Sequence, residues 1–260
     1  MSDFGSIRLA AARILADRAR LDVLVHNAGA TFPQRTITAD GVEATLAVDV
    51  VGPFLLTHLL RERLTAVRGR VITLTGIYQR KGHVDVNDLH SAHRPYDWLA
   101  ANNQAQRCRW LFTSELARRA PELLVASVHP GAVLTGAQAR LPHLARALIH
   151  TVARPGFVRA EVGAVPVLRL AAHPDLSHLS GRFFDRCTLA PDTAEPALAR
   201  AFWSACEALT GESWSTAAPR DVASVGVAPA LEHGRCRDPV PAAAPATPTQ
   251  DPSRTSPSLA

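Results

Sequence analysis

The sequence predicts an α/β fold with a doubly wound parallel sheet. Three observations carry that reading. Short apolar runs at residues 23–25, 70–74, 123–128 and 181–184 have the length of buried parallel strands. Between them lie longer stretches with apolar residues at three- and four-residue spacing, as helices that cover a sheet require. The first run ends in His26-Asn27-Ala28-Gly29, a tight turn at the strand's carboxyl end, where open α/β sheets take ligands.

The elements follow in order. Residues 6–20 predict a helix, with Ile7, Ala10, Ala11, Ile14 and Leu15 recurring on one side and Asp3 or Ser6 as its cap. The strand at 21–27 follows. Residues 31–40 are polar and turn-rich. A long helix spans 41–66, carrying Leu46, Val50, Phe54, Leu55, Leu59 and Leu64; Pro53 within it predicts a kink. After the strand at 70–74 comes a loop over 75–95, too long for a plain connector and therefore a place for function. A helix covers 97–119 and a third strand 123–128, stopped by Pro130-Gly131. Short helices are predicted over 141–150 and 159–172, the second interrupted by Pro166. A strand covers 181–184, and a last helix spans 194–210 with Gly211 as its stop. Residues 212–260 are rich in Ala, Pro, Ser and Thr. They carry too little apolar surface to offset their ordering entropy, which predicts a disordered tail after a domain at 1–211.

Composition excludes several function classes. Hydrophobic residues make up 47 % of 260, enough for a large core, and the net charge of +5 is scattered rather than clustered. No basic block alternates with aromatics, so a nucleic-acid partner is not expected. No apolar run approaches the ~20 residues of a membrane span. The cysteines at 108, 187, 206 and 236 form no CxxC pair, and the histidines form no ligand spacing. The expectation is a cytoplasmic protein with reduced thiols and no metal.

The stretch from Leu21 to Gly29, then Val50-Val51-Gly52-Pro53-Phe54-Leu55-Leu56-Thr57, then Val128-His129-Pro130-Gly131 together resemble the short-chain dehydrogenase/reductase family, in its retinol-dehydrogenase-like branch. The resemblance covers about residues 6–211. Its usual Asn-Asn-Ala-Gly motif stands here with His26 in the first place. The family fold is a seven-stranded Rossmann-like sheet, and the four strands read here match its last four, so the first three are missing. The glycine-rich turn that would approach a dinucleotide pyrophosphate belongs to that missing part. The strand at 21–27 then becomes an apolar sheet edge, which natural proteins avoid. Upstream residues, a covering partner or a poorly folding fragment are the alternatives.

The resemblance also implies an activity, hydride transfer between NAD or NADP and an alcohol or carbonyl substrate. That chemistry uses a tyrosine as acid/base, a lysine one helical turn later, a serine and an asparagine. A tyrosine of ordinary pKa near 10 needs the adjacent cation to act as a base at neutral pH. Anchored on residues 111–119, the tyrosine position falls at Asn102, the lysine at Gln106, the serine at Gly76 and the asparagine at Asp49. No Tyr-x-x-x-Lys exists in the chain, since Lys81 is its single lysine and Ile77 stands four residues before it. Thr75 and Tyr96 are the candidate substitutes, although Tyr96 at a helix start reads first as structural. Asn27, Ala28, Gly29, Val50, Pro130, Gly131 and Thr135 match cofactor-contacting positions, and glycine and proline there have backbone reasons of their own. His26 and His129 read as structural groups. The helices at 41–66 and 97–119 form the family's dimer contact. The expectation is a chain without turnover, acting as a binding or scaffolding subunit or representing a gene fragment. The alternative is an active oxidoreductase completed by upstream residues.

Overall fold

The computed structural model describes residues 1–76, 82–133, 157–174, 176–191 and 195–214. Its sheet has five strands in sequential order: β1 (Val23–His26), β2 (Arg70–Leu74), β3 (Leu124–His129), β4 (Arg182–Asp185) and β5 (Thr188–Leu189). The first four are parallel, as the sequence predicts. The last turns back antiparallel on β4, through a turn in which Arg186 adopts a left-handed φ of 56°. That two-residue strand is too short to register as a pattern.

The helices are α1 (Phe4–Asp17), α2 (Ala44–Thr65), α3 (Trp98–Arg119), α4 (Ala160–Ala172) and α5 (Pro196–Thr210). Asp3 caps α1 by accepting from the Ser6 amide, and Asp97 caps α3 through the Leu99 and Ala100 amides. Within α2, residues Ala47–Val51 form a π-turn, with the Gly52 amide donating to the Ala47 carbonyl. Pro53 follows at once. It has no N–H to give, and the widened turn absorbs the missing bond that the expected kink would otherwise expose.

Strand alternation sorts the core. Val71, Val125 and Phe183 face a large cluster built with α1, α2, α3 and α5, whereas Ile72, Leu124, Ala126, Val128 and Phe184 face a smaller one under α4. The side chains at the same level on the larger face include His26, Thr73 and Ser127, which are register partners across β1, β2 and β3. Among the described residues β1 pairs with β2 only, and Val25, on the smaller face, is 38 % exposed.

Helix α2 is long and apolar enough to cross a membrane, against the sequence expectation, but 72 % of its most apolar window is buried inside the fold. It is the central core helix. The chain's own α5 packs on α2 and α3, the helices expected to meet a second copy. Trp203 of α5 meets Phe54 of α2 at 4.8 Å and stacks on Phe112 of α3 at 6.0 Å, and Arg107 of α3 pairs with Glu195. The packed body also continues past Gly211. Glu212 pairs with Arg8 and His58, and the buried Trp214 packs edge-on to Trp203 at 5.4 Å. The tail expected from 212 onward therefore lies, from 215, outside the described residues. So does the helix expected at 141–150. Cys108 and Cys206 are free and buried.

Candidate functional site

Three elements converge at the carboxyl ends of β1 and β2. The exit of β1 brings Asn27, Ala28 and Gly29, all exposed, to the rim. The π-turn of α2 carries Asp49, and α3 presents Asn102, Gln106 and Arg109 at helical spacing. The exit of β2 adds Thr75 and Gly76.

The structure joins these positions by hydrogen bonds made to one another. The Gln106 carboxamide oxygen accepts the Gly76 amide at 2.7 Å, and its nitrogen donates to the Asp49 carboxylate at 3.3 Å. The other oxygen of Asp49 accepts the Ala30 amide at 2.9 Å. The Thr75 hydroxyl donates to the Gln106 backbone carbonyl at 2.9 Å, and Asn102 accepts from the Thr31 hydroxyl at 3.0 Å. The four positions that the family resemblance would align with catalytic groups hold amides, a carboxylate or a backbone N–H. Of the four, Asp49 alone is titratable. Burial pushes the Asp49 carboxyl above the usual carboxylate range, and Arg109 only partly opposes the rise.

Arg109 is the functional residue that the motif reading missed. Its guanidinium stands 3.3 Å from Asp49, with 4 % and 2 % of the two side chains exposed. It also donates to the backbone carbonyls of Ala28, just beyond β1, and of Leu74, at the end of β2. Gly29 gives it room: a Cβ there would lie 3.0 Å from an Arg109 nitrogen. The Nε of Arg109 is buried without a partner. The available signal was its place one helical turn beyond Gln106, on the same face of α3.

The two proposed substitutes are occupied. Thr75 is 4 % exposed and bonded into α3. The Tyr96 hydroxyl donates to Glu43 at 3.0 Å and stands 3.1 Å from the Phe32 carbonyl. Burial pushes its pKa up to about 12. Glu43 in turn caps α2 through the Thr45 and Leu46 amides, so the Tyr96 phenol is tied to a helix start.

The expected cofactor-contacting residues divide. Asn27, Ala28 and Gly29 line the rim, but the Ala28 carbonyl is taken by Arg109. Val50 is fully buried among core residues, so it does not wall an open site. Pro130 and Gly131 turn the chain out of β3, with Gly131 at φ 94°; the next residue's carbonyl accepts the Val158 amide at 2.7 Å. Thr135 lies outside the described residues, as do Tyr78 and Lys81.

Of the two histidines read as structural groups, His26 is buried and His129 half-buried. His26 is 4 % exposed, and its Nε2 lies 2.7 Å from the Thr57 hydroxyl. That hydroxyl gives its own hydrogen to the Pro53 carbonyl at 2.8 Å, so Nε2 must be the donor and carry the proton. Burial, reinforced by the Arg109 charge, lowers the His26 pKa to about 3. Burial also lowers that of His129 at the end of β3. Among the described residues no three His, Cys, Asp or Glu side chains gather as metal ligands would.

Comparison with known proteins agrees with this architecture. A family model described as enoyl-(acyl carrier protein) reductase matches residues 1–94. The chain is 32 % identical to mouse retinol dehydrogenase 14 over 81 % of its own length and 65 % of the relative's. It is 33 % identical to human retinol dehydrogenase 13, covering 81 % and 67 %. It thus spans about two thirds of the length of these relatives. Among solved structures, an uncharacterised protein from Mycobacterium paratuberculosis superposes with a TM-score of 0.63 at 26 % identity, over 82 % of this chain and 74 % of that one. A blue fluorescent protein from a metagenomic library, solved in complex with NADPH, gives 0.52 at 20 % identity, covering 71 % of this chain and 70 % of that one; this likeness speaks to the fold alone. The fold is the Rossmann-like α/β arrangement with a mostly parallel sheet. By sequence and by architecture, the chain belongs to the short-chain dehydrogenase/reductase family of oxidoreductases.

Proposed function

We propose that this chain is a member of that family without redox turnover, a binding or scaffolding subunit that keeps the fold. NAD or NADP is the cofactor class of the fold, and a nearby solved structure holds NADPH. The residues present do not fit the reacting end of that cofactor. The strand-end crevice is bridged by Arg109, the lysine position is a glutamine whose carboxamide is bonded at both ends, and the one phenol among the described residues, Tyr96, is bonded to Glu43 and the Phe32 carbonyl instead.

One observation carries the reading. Asp49, Gly76 and Gln106 satisfy one another, and Asn102 is held by Thr31. General acid–base catalysis needs a group whose pKa lies near the working pH and which can reach the substrate. Tyr96, held near 12 and bonded to Glu43, meets neither condition.

The relatives' names favour a second reading, an active oxidoreductase of small alcohols or carbonyls such as retinol. The two part in a steady-state assay of the purified chain with NADH or NADPH and a panel of aldehydes and ketones. The expected result is a rate equal to the blank, both for the wild type and for Gly76→Ser/Asn102→Tyr/Gln106→Lys, because Arg109 still bridges the crevice in that variant. A wild-type rate that depends on cofactor and disappears in Tyr96→Phe would establish the second reading.

A further inference from the structure

We propose that Arg109 acts as an internal ligand of the strand-end crevice, tying β1 to β2 where an open parallel sheet otherwise receives a dinucleotide. The inference rests on the non-catalytic reading of the same site and names the residue that closes it.

Adjacent parallel strands end side by side, and where their pairing stops the carbonyls lose their strand partners. In open α/β sheets that place receives a ligand. Here the Ala28 and Leu74 carbonyls both receive N–H bonds from one guanidinium. A guanidinium is suited to this because its donors fan out in one rigid plane. Two of its arms reach the carbonyls, and one of those arms also faces Asp49 at 3.3 Å. Asp49 closes the circuit by accepting the Ala30 amide, so the exit of β1 is held at both its carbonyl and its N–H. Gln106 does the same for the exit of β2, accepting the Gly76 amide. The charge that a lysine at position 106 would supply is thus supplied one turn along α3 and turned toward the backbone.

Gly29 is reassigned by this geometry. In the sequence it reads as a turn that lets a cofactor approach. In the structure the space above it is filled by Arg109, 3.0 Å from where a Cβ would stand. The glycine admits a side chain of the same polypeptide. It also follows that adding a tyrosine, lysine and serine does not open the site while Arg109 remains.

Hydrogen–deuterium exchange read by mass spectrometry on the full chain tests the tie. Arg109→Lys keeps the charge opposite Asp49, but a single ammonium cannot serve both carbonyls and the carboxylate. Exchange in peptides spanning 27–31 and 74–76 is expected to rise about tenfold or more, while peptides from α1 and α5 stay as in the wild type. Asp49→Asn is expected to leave 74–76 protected, because the bond to Leu74 survives. Adding millimolar NADPH to the wild type is expected to change neither peptide. Unchanged exchange in Arg109→Lys, or a rise spread evenly over the chain, would overturn the tie. Added protection of both peptides by NADPH would overturn the exclusion. A wild-type reductase rate together with a local rise in Arg109→Lys would retire the non-catalytic reading and the exclusion while leaving the strand tie standing; even exchange with no rate would retire the tie alone.

Discussion

Replacing Arg109 by methionine is expected to lower folding stability by about 3–5 kcal/mol, the usual consequence of stranding one partner of a buried ion pair. The carboxylate left behind is Asp49, 2 % exposed and already raised by burial. Its remaining partners would be the Ala30 amide and the Gln106 carboxamide, which do not neutralise it. Two carbonyls would lose their donor at the same time. Asp49→Asn/Arg109→Met removes both charges and keeps an acceptor for Ala30. It is expected to recover more than half of the loss, because a symmetric deletion leaves no unpaired buried charge. Urea unfolding of the two variants beside the wild type reads the difference. Equal losses in the single and double variants would mean that the carbonyl bonds, rather than the ion pair, dominate.

Acidification is expected to destabilise the fold through His26. In the folded chain its ring stays neutral down to about pH 3, whereas an unfolded histidine takes up a proton near pH 6.5. Below that value the unfolded state binds the additional proton, so stability falls as the pH drops and goes on falling until the folded ring protonates as well. For one such group the loss between pH 7 and pH 5 is about 2 kcal/mol. Nothing in the pocket offsets it: Nε2 is committed to Thr57, the adjacent charge is the like-signed Arg109, and Phe112 lies edge-on at 6.1 Å. In His26→Gln the difference in unfolding free energy between the two pH values, read by urea titration, is expected to shrink by that amount. A variant with the wild-type pH dependence would show that His26 is not the group responsible.

The sheet was legible in the sequence because parallel strands buried on both faces must be short and apolar, and the runs at 70–74 and 123–128 are both. The first strand was equally legible, with its polar exit at His26. The strand Thr188–Leu189 was not, since two residues set no period. The π-turn was half legible: Pro53 announced a disturbance in α2 without saying that the helix would widen before it rather than bend at it. Residues 212–214 were misassigned because composition averages over a segment. Trp214 packs as a single aromatic against Trp203 and His58, a contact that no average contains.

The site divides in the same way. Which residue types stand at Asp49, Gly76, Asn102 and Gln106, the positions that the resemblance aligns with catalytic groups, is plain in the sequence. What fills the crevice beside them is a matter of reach. Arg109 spans from α3 to the ends of two strands that are 35 and 81 residues away in sequence, and its role is written in no local motif. Tyr96 shows the converse. Its phenol made it a candidate on chemistry, and only its hydrogen bond to Glu43 reveals that the proton is committed.

Whether the strand-end crevice is already full decides whether this chain can take a nicotinamide cofactor. Equilibrium titration of the purified wild-type chain with NADH and with NADPH, followed by the fluorescence of the reduced cofactor, measures that. The result expected is a linear signal with no saturation up to millimolar concentration for either nucleotide. Saturable one-to-one binding in the micromolar range, with a blue-shifted emission that reports a shielded nicotinamide ring, would contradict it and would mean that Arg109 moves aside for a ligand.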